Sequence, residues 1–441
     1  MKQKHSDNDT ELRLASLGLQ LPDILLPRQE FDYKKWAVIA CDQFTQDISY
    51  WEKLKTETED APSTLNLIFP EVYLNTIDET SRTNRINSIH TAMNKAMEDV
   101  LISLPHCPVY IERSTPYQKK RHGLVIVIDL EMYDWQPASR PLIRATEGTV
   151  TERLPPRMEI RKHAPLETSH VLLLIDDEED ALIPDLGMEA KKNLPLYTTS
   201  LMMDSGAITG WQVNSKDSFE LLASGLEILA HKANERYGVK DKTPFLFAVG
   251  DGNHSLAAAK AVWDDYKANH AGEKQLEANA RRYALVEIEN LHDPGISFEP
   301  IHRVIFGADP AKLLYALSEL PGYSITTLGE HKNIFRVASQ SQAIAAVDIE
   351  PMLEDFLKNS DGELCIDYIH GKDELIRIVS ESNKEGSSSS NKQATGIILP
   401  AINKKGFFKT IAQNGPLPRK SFSMGEACEK RFYIECRTIT G

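Results

Sequence analysis

The chain has 441 residues, 41% hydrophobic and 26% charged, with a net charge of −14 at pH 7, the profile of a globular protein of one large core or about two to three ordinary domains. That acidity argues against a nonspecific grip on nucleic acid or on an anionic membrane, and neither a secretory apolar region nor an apolar run of membrane-spanning length is present. Five scattered cysteines (Cys41, Cys107, Cys365, Cys428, Cys436) without C-x-x-C spacing read as reduced thiols of a cytoplasmic protein.

In chain order, residues 1–20 read as a frayed or weakly helical tail and 21–27 as an extended, proline-bracketed segment. Residues 36–41 read as a buried strand, followed by a helix carrying Tyr50, Trp51 and Leu54. Ile86, Ile89, Met93, Met97 and Val100 recur at helical spacing within 81–104. Residues 109–112 and 124–130 predict two strands of a hairpin joined by the basic loop 119–123, and 171–175 another buried strand. A helix over roughly 217–237 precedes an apolar run from Phe245 to Val249. That run stops at a Gly-Asp-Gly-Asn turn and passes into an alanine-rich helix. A strand over 282–289 follows, and 311–380 alternates helical and extended patterns. Residues 383–392 are a glycine/serine loop, and 396–400 and 406–411 read as strands before a short tail. Strands and helices mix without regular βαβ alternation, so the predicted class is α+β with a mixed sheet core. The expected organisation is a tail (1–20), a main domain (21–310) carrying the site, and a smaller α+β portion (311–441) whose end returns to the main domain.

The strand–turn–helix at 245–266 holds the densest chemistry. A helix start presents backbone N–H groups and the positive end of the helix dipole, which suits a phosphate. Gly250 and Gly252 permit unusual backbone angles and leave room for a ligand. Asp251, Asn253, His254 and Ser255 add acid, amide, imidazole and hydroxyl. The same residues also serve as ordinary N-caps and turn formers. A second segment, 142–161, carries Arg144, Arg153, Arg157 and Arg161 in an otherwise acidic chain. Guanidinium groups pair two oxygens of a phosphate at once, and Glu147 beside them is placed to act as a general base or magnesium ligand. The alternative is a solvated loop of surface ion pairs. A helix terminus contributes at most about 2 kcal/mol to holding a charge, whereas millimolar affinity already needs about 4 kcal/mol, so the two segments are expected to act together.

Two further clusters carry less. His292, Asp293 and His302 match no common metal spacing, and Glu299, His302 and Arg303 read as loop or pocket residues. Arg419, Lys420 and Ser421 lie in a segment that could fold back over an anionic site.

The segments Trp36-Ala-Val-Ile-Ala-Cys-Asp-Gln-Phe-Thr45, Ile143-Arg-Ala-Thr-Glu-Gly-Thr149, Phe247-Ala-Val-Gly-Asp-Gly-Asn-His-Ser255 and Leu417-Pro-Arg-Lys-Ser-Phe-Ser-Met-Gly-Glu426 occur in this order. On them the chain is identified as resembling the domain-of-unknown-function family number 1015, from about residue 21 to the end. Much of that family carries an Asp-Gly-His-His-Arg turn, similar to the phosphate-binding turn of the ParB/sulfiredoxin-like superfamily. That superfamily includes free-serine kinases, ATP-using sulfiredoxins and CTP-binding ParB proteins. The resemblance reaches Asp251, Gly252 and His254; Asn253 stands where histidine is common, and Ser255 where arginine is common. With the residue chemistry above, it leads to the expectation of a nucleotide (ATP, ADP or CTP), with or without Mg, bound at Gly250, Gly252, Asn253 and Ser255 with help from Arg144, Arg153 and Arg157. Glu147, Asp251 and His254 are then the expected catalytic groups of a kinase acting on the hydroxyl of a small metabolite such as serine. The alternative is a nucleotide-sensing binding protein without turnover.

Overall fold

The computed structural model describes residues 2–45, 47–74, 76–118, 120–339, 344–360, 364–384 and 393–440. Mixed sheets interleaved with helices give the α+β class expected. The chain divides into two compact units, Met1–Ile296 with Glu426–Gly441, and Ser297–Gly425.

The first unit is built on a ten-stranded sheet. Its central strands run, neighbour by neighbour, Val109–Ser114, Arg121–Asp129, Tyr283–Asn290, Val171–Ile175, Phe247–Asp251 and Ile143–Ala145. Successive residues of a strand face opposite sides. Leu124, Ile126 and Ile128 join a core with Leu222, Leu226, Leu256 and Trp263 of the helices Lys216–Tyr237 and Asn253–Asn269. Val125 and Val127 join a second core with Trp36, Trp51, Ile86, Ile89 and Met93. A strand covered on both faces shows no polar alternation, hence its continuous apolar run. The predicted hairpin forms antiparallel, Val109 opposite Val125 and Arg113 opposite Arg121; Lys119 of its loop lies outside the described residues.

Several elements differ from those the sequence predicts. Residues 36–41 split into a short helix, Tyr33–Trp36, capped by Asp32, and a two-residue strand, Val38–Ile39. The helix Glu79–Asp99 ends before the predicted boundary, and the chain continues as the strand Leu101–Leu104 against Ile24–Pro27. The N-terminal residues read as a tail form the helix Lys2–Ser16. Its weak apolar periodicity hides an electrostatic anchor: Arg13 bonds Glu220, Ser224 and Glu227 on Lys216–Tyr237, beside buried Leu14 and Leu17.

The closing segment of the chain is fixed in the first unit by buried charge. Arg113 donates to the carbonyls of Cys428 (2.9 Å), Glu429 (2.8 Å) and Lys430 (2.5 Å), and Arg121 to that of Glu429 (3.1 Å). Arg431 pairs with Glu287 at 2.8 Å and with Glu435, which also accepts the Tyr197 hydroxyl. Arg431, Glu287 and Glu435 are each no more than 1% exposed. Gly123 makes the room: a Cβ there would lie 2.2 Å from Glu287 Oε1. Past this clamp, Phe432–Tyr433 pairs with Val38–Ile39, and Cys436–Thr438 lies between Ile24–Pro27 and Leu166–Thr168.

Ser297–Gly425 has a six-stranded sheet of its own, with the parallel pair His331–Ser339 and Ala394–Ile398 inside it. Residues 406–411, expected as a strand, lie in the helix Lys404–Asn414. The Asn403 side chain accepts the Lys405 N–H, and Phe407, Phe408 and Ile411 fall on one buried face. Two phenylalanines and an isoleucine within six residues imitate strand composition; their spacing of three and four is what selects the helix. The expected glycine/serine loop lies outside the described residues from 385 to 392.

Removing the cation of the clamp leaves two buried carboxylates without their shared partner. Arg431→Ala is therefore expected to lower unfolding free energy by about 3–5 kcal/mol, measured by urea denaturation; a loss under about 1 kcal/mol, the worth of a surface pair, would refute the clamp.

Candidate functional site

The strand Phe247–Asp251 stops at Gly252, which takes φ +81° as the N-cap of Asn253–Asn269, and no side chain caps that helix from this position. A Cβ on Gly252 would also lie 3.1 Å from the Val171 backbone, so both the left-handed angle and the close approach require glycine. Gly250 differs from its expected place: it is buried within the strand, one turn of pleat before the bend. The first N–H groups of the helix, and the positive end of its dipole, are those of Asn253, His254 and Ser255.

The strand Ile143–Ala145 runs parallel to Phe247–Asp251 and delivers the 146–150 loop to this helix head. Asn253 Oδ1 accepts the Thr146 N–H at 3.2 Å, and its amide donates to Thr146 Oγ1 at 3.2 Å. The Val150 N–H donates to His254 Nε2 at 3.2 Å. The side chains of Asn253 and His254 therefore hold the loop. Glu147 lies half-buried within it.

The arginines disperse. Arg144 is a correction to the expected phosphate set: it donates to Pro141 O (3.0 Å) and Asp241 (2.7 Å) and lies 4.6 Å from the Phe245 ring centroid. Those partners precede the strand, at the end opposite the turn. Arg161 pairs with Glu167 at 2.5 Å in a structural cluster with Arg437. Arg153 is exposed. Arg157 points to the site, bonded to Glu71 and to Arg153 O at 2.6 Å.

Around Asp251 and Ser255 the fold assembles groups that no local sequence pattern announces. Asp251 accepts the Gly252 N–H at 2.9 Å and pairs with buried Lys430 at 3.2 Å. Ser255 Oγ lies 2.7 Å from His170 Nε2, and His170 Nδ1 lies 3.0 Å from the Tyr433 hydroxyl. That hydroxyl accepts the Cys41 N–H at 3.1 Å and donates to Cys41 Sγ at 3.2 Å. The Glu71 N–H donates to Cys41 O at 2.8 Å, which sets Glu71 beside Asp42. Each element contributes by topology: Leu166–Thr168 leads into His170, Val38–Ile39 into Cys41 and Asp42, and the clamped C-terminal segment supplies Lys430 and Tyr433.

The two carboxylates titrate apart. Burial, then the field of Asp42, pushes Glu71 up to about 7, with Arg157 and Arg153 opposing. Burial also works against Asp42, yet the fields of His170, Lys430 and Arg157 and the Gln43 amide hold it below the usual carboxylate range. His170 is held below its ordinary value, first by burial, against the pull of Asp42 and Asp251. Neighbouring acids driven apart in proton affinity are the arrangement that acid–base chemistry uses.

The other sequence clusters are structural. His292 bonds Asp176 at 2.7 Å, and Asp293 bonds His122 Nδ1 at 2.7 Å. In the second unit, Arg303 pairs with Glu350 at 3.0 Å and His302 accepts the Leu399 N–H at 3.2 Å. Arg419, Lys420 and Ser421 belong to that unit. Among the described residues no group of three or more His, Cys, Asp or Glu is arranged to hold a metal ion, and no helix is long and apolar enough to cross a membrane. A concavity of about 340 Å³ in the second unit, lined by Glu350, Glu354, Thr410 and Asn414 among others, contains none of the expected residues.

A carboxyl with raised folded-state proton affinity favours folding while protonated, a contribution complete below 4.5 and lost as pH climbs through about 7. The melting temperature of the native chain relative to Glu71→Gln should fall across that interval and level off above it. A difference that stays constant with pH would show that Glu71 ionises normally.

Two solved structures are similar to this chain. One is a conserved hypothetical protein from Pyrococcus furiosus, 11% identical over 72% of this chain and 95% of that one, with a TM-score of 0.32. The other is SbnI with C-terminal truncation from Staphylococcus aureus, 9% identical over 72% of this chain and 83% of that one, with a TM-score of 0.29. No curated protein matches. The model of the family described as protein of unknown function (DUF1015) matches residues 25–385. Spanning most of the sequence, that match makes the chain a member of the DUF1015 family.

Proposed function

We propose that the protein is a nucleotide-dependent phosphotransferase acting on the hydroxyl of a small metabolite such as serine. The observation that carries this reading is the meeting of a glycine-capped helix head with the Asp42–Glu71 pair, whose proton affinities are split. Phosphoryl transfer asks mainly for positioning and for stabilisation of charge on the moving group. The N–H groups at 253–255 receive phosphate oxygens of ATP, ADP or CTP, and Lys430 and Arg157 supply positive charge from two other parts of the chain. The likeness of the Asp251–Ser255 turn to the phosphate-binding turn of the ParB/sulfiredoxin-like superfamily supports the same assignment. Lys430 offers a cation where Ser255 replaces the arginine common in that turn.

The acceptor hydroxyl needs a base. Asp251 is held by Lys430 and by the Gly252 N–H, which suits orientation of the turn and, with Mg present, a metal contact. Glu71, poised near neutrality, is the better base. In this reading Glu147 and His254 shape the loop over the phosphates.

A second reading, a nucleotide sensor without turnover, draws on the bonds from Asn253 and His254 to the 146–150 loop. A ligand at the helix head would act on that loop directly. Turnover separates the two: a sensor binds nucleotide and releases no product.

Nucleotides should raise the melting temperature of the native chain, and Lys430→Met should weaken triphosphate binding about 10–100-fold, the worth of a charged hydrogen bond, while leaving nucleoside binding nearly unchanged. Glu71→Gln should retain the nucleotide-induced rise and lose about 10²–10⁴-fold in phosphoryl transfer to hydroxy-metabolites, the contribution of a general base. The reading fails if no nucleotide, with or without Mg, shifts the melting temperature.

A further inference from the structure

The phosphotransferase reading uses the backbone of Ser255 and leaves its hydroxyl without a task. That hydroxyl lies 2.7 Å from His170 Nε2, and both residues are partly exposed. Proton counting assigns the imidazole tautomer. The Tyr433 oxygen accepts the Cys41 N–H and donates its one proton to Cys41 Sγ. Its contact with His170 Nδ1 at 3.0 Å is therefore an Nδ1–H donating to oxygen. Nε2 keeps its lone pair and receives the Ser255 O–H. The rings of His170 and Tyr433 meet edge to face, 5.4 Å apart at 85°, which fixes the imidazole plane. A hydroxyl aimed at a neutral imidazole whose far nitrogen is anchored by a third group is the order of nucleophile, base and orienter. Ser255 is also the third residue of its helix, so an anionic centre bonded to Oγ lies against the head of that helix.

We propose that Ser255 is a nucleophile, with His170 as its base and Tyr433 as a positioning residue, and that it takes a phosphoryl group from a phosphoric anhydride to form a covalent phosphoserine. The Oγ–P bond forms as the P–O bond to the leaving phosphate breaks, the electron pair departs with the leaving oxygen, and the serine proton passes to Nε2 and from there to the leaving group. The proposal goes beyond the phosphotransferase reading, since it rests on the Ser255–His170 geometry whatever acceptor follows.

The full chain treated with a fluorophosphonate, a phosphorus electrophile that loses fluoride, and mapped by peptide mass spectrometry should carry its adduct on Ser255. The adduct should be absent from Ser255→Ala and form about 10²-fold more slowly or worse in His170→Gln. Added imidazole should restore labelling to His170→Ala, a rescue that a purely structural histidine would not permit. The labelling rate should rise with pH to a midpoint below 6.5, because burial and the fields of Arg157 and Arg161 outweigh those of Asp42 and Asp251 on His170. Incubation with Mg and a phosphoric anhydride, either ATP or inorganic pyrophosphate, without acceptor should leave phosphoserine on the same peptide. Labelling of Ser255 equally fast in a folded His170→Gln, an adduct only elsewhere, or no phosphoserine would overturn the proposal. Nucleotide melting shifts on the same preparations keep the two ideas separate. A shift without reaction at Ser255 removes the nucleophile alone, and reaction at Ser255 without a shift removes the nucleotide reading alone.

Discussion

The first unit depends on a buried cation, Arg431, held between Glu287 of the central sheet and Glu435 of its own segment. Taking such charges out of water costs several kcal/mol per ion, so the arrangement is weak evidence for stability as such. Its strength lies in how few geometries satisfy it. Arg113 and Arg121, on adjacent strands, add donors to three consecutive carbonyls of the same segment. Any slip of residues 428–435 along the sheet would strand those donors and the two carboxylates in an apolar interior. Position is thus enforced by the penalty for mispairing.

That enforcement reaches the chemistry directly. Lys430 precedes the clamped arginine and meets Asp251; Tyr433 follows it and meets His170 and Cys41. The candidate site joins residues from 41–42, 71, 157, 170, 251–255 and 430–433. Within it, charge is apportioned by surroundings. Asp42 sits amid cations and stays ionised, while Glu71, equally hidden and facing Asp42, keeps its proton until near neutrality. A sheet that fixes these side chains from several directions leaves them few alternative positions.

The sequence discloses what is encoded locally. The Phe247–Asp251 strand, the glycine bend and the alanine-rich helix are legible because an apolar run, a left-handed residue and a helical composition lie within some twenty positions. The double-sided core of Arg121–Asp129 is legible for the same reason. His170, Glu71 and Lys430 are not, since a single polar residue beside a short strand looks the same whether it faces solvent or a partner more than eighty positions away. Cys41 and Asp42 lie within the 36–45 segment that carries the family resemblance, and Arg157 and Asp251–Ser255 within the two segments whose chemistry is locally dense. Arg144 shows the converse error: its neighbours in sequence suggest a cationic cluster, but Asp241 and Phe245 draw its guanidinium to the far end of the strand. Composition also misleads over 406–411, where the capping asparagine and a spacing of three and four outweigh the aromatic content.

The route of the chain has a bearing on biogenesis. Chain growth on the ribosome runs from the N-terminus, so the sheet and the bend at Gly252 emerge long before Lys430 and Tyr433. Until then, Glu287 has no Arg431 to pair with, and His170 has no phenol to orient it. A nascent or truncated chain lacking residues 428–438 is consequently unclamped, and the candidate site is complete only once its closing segment has docked.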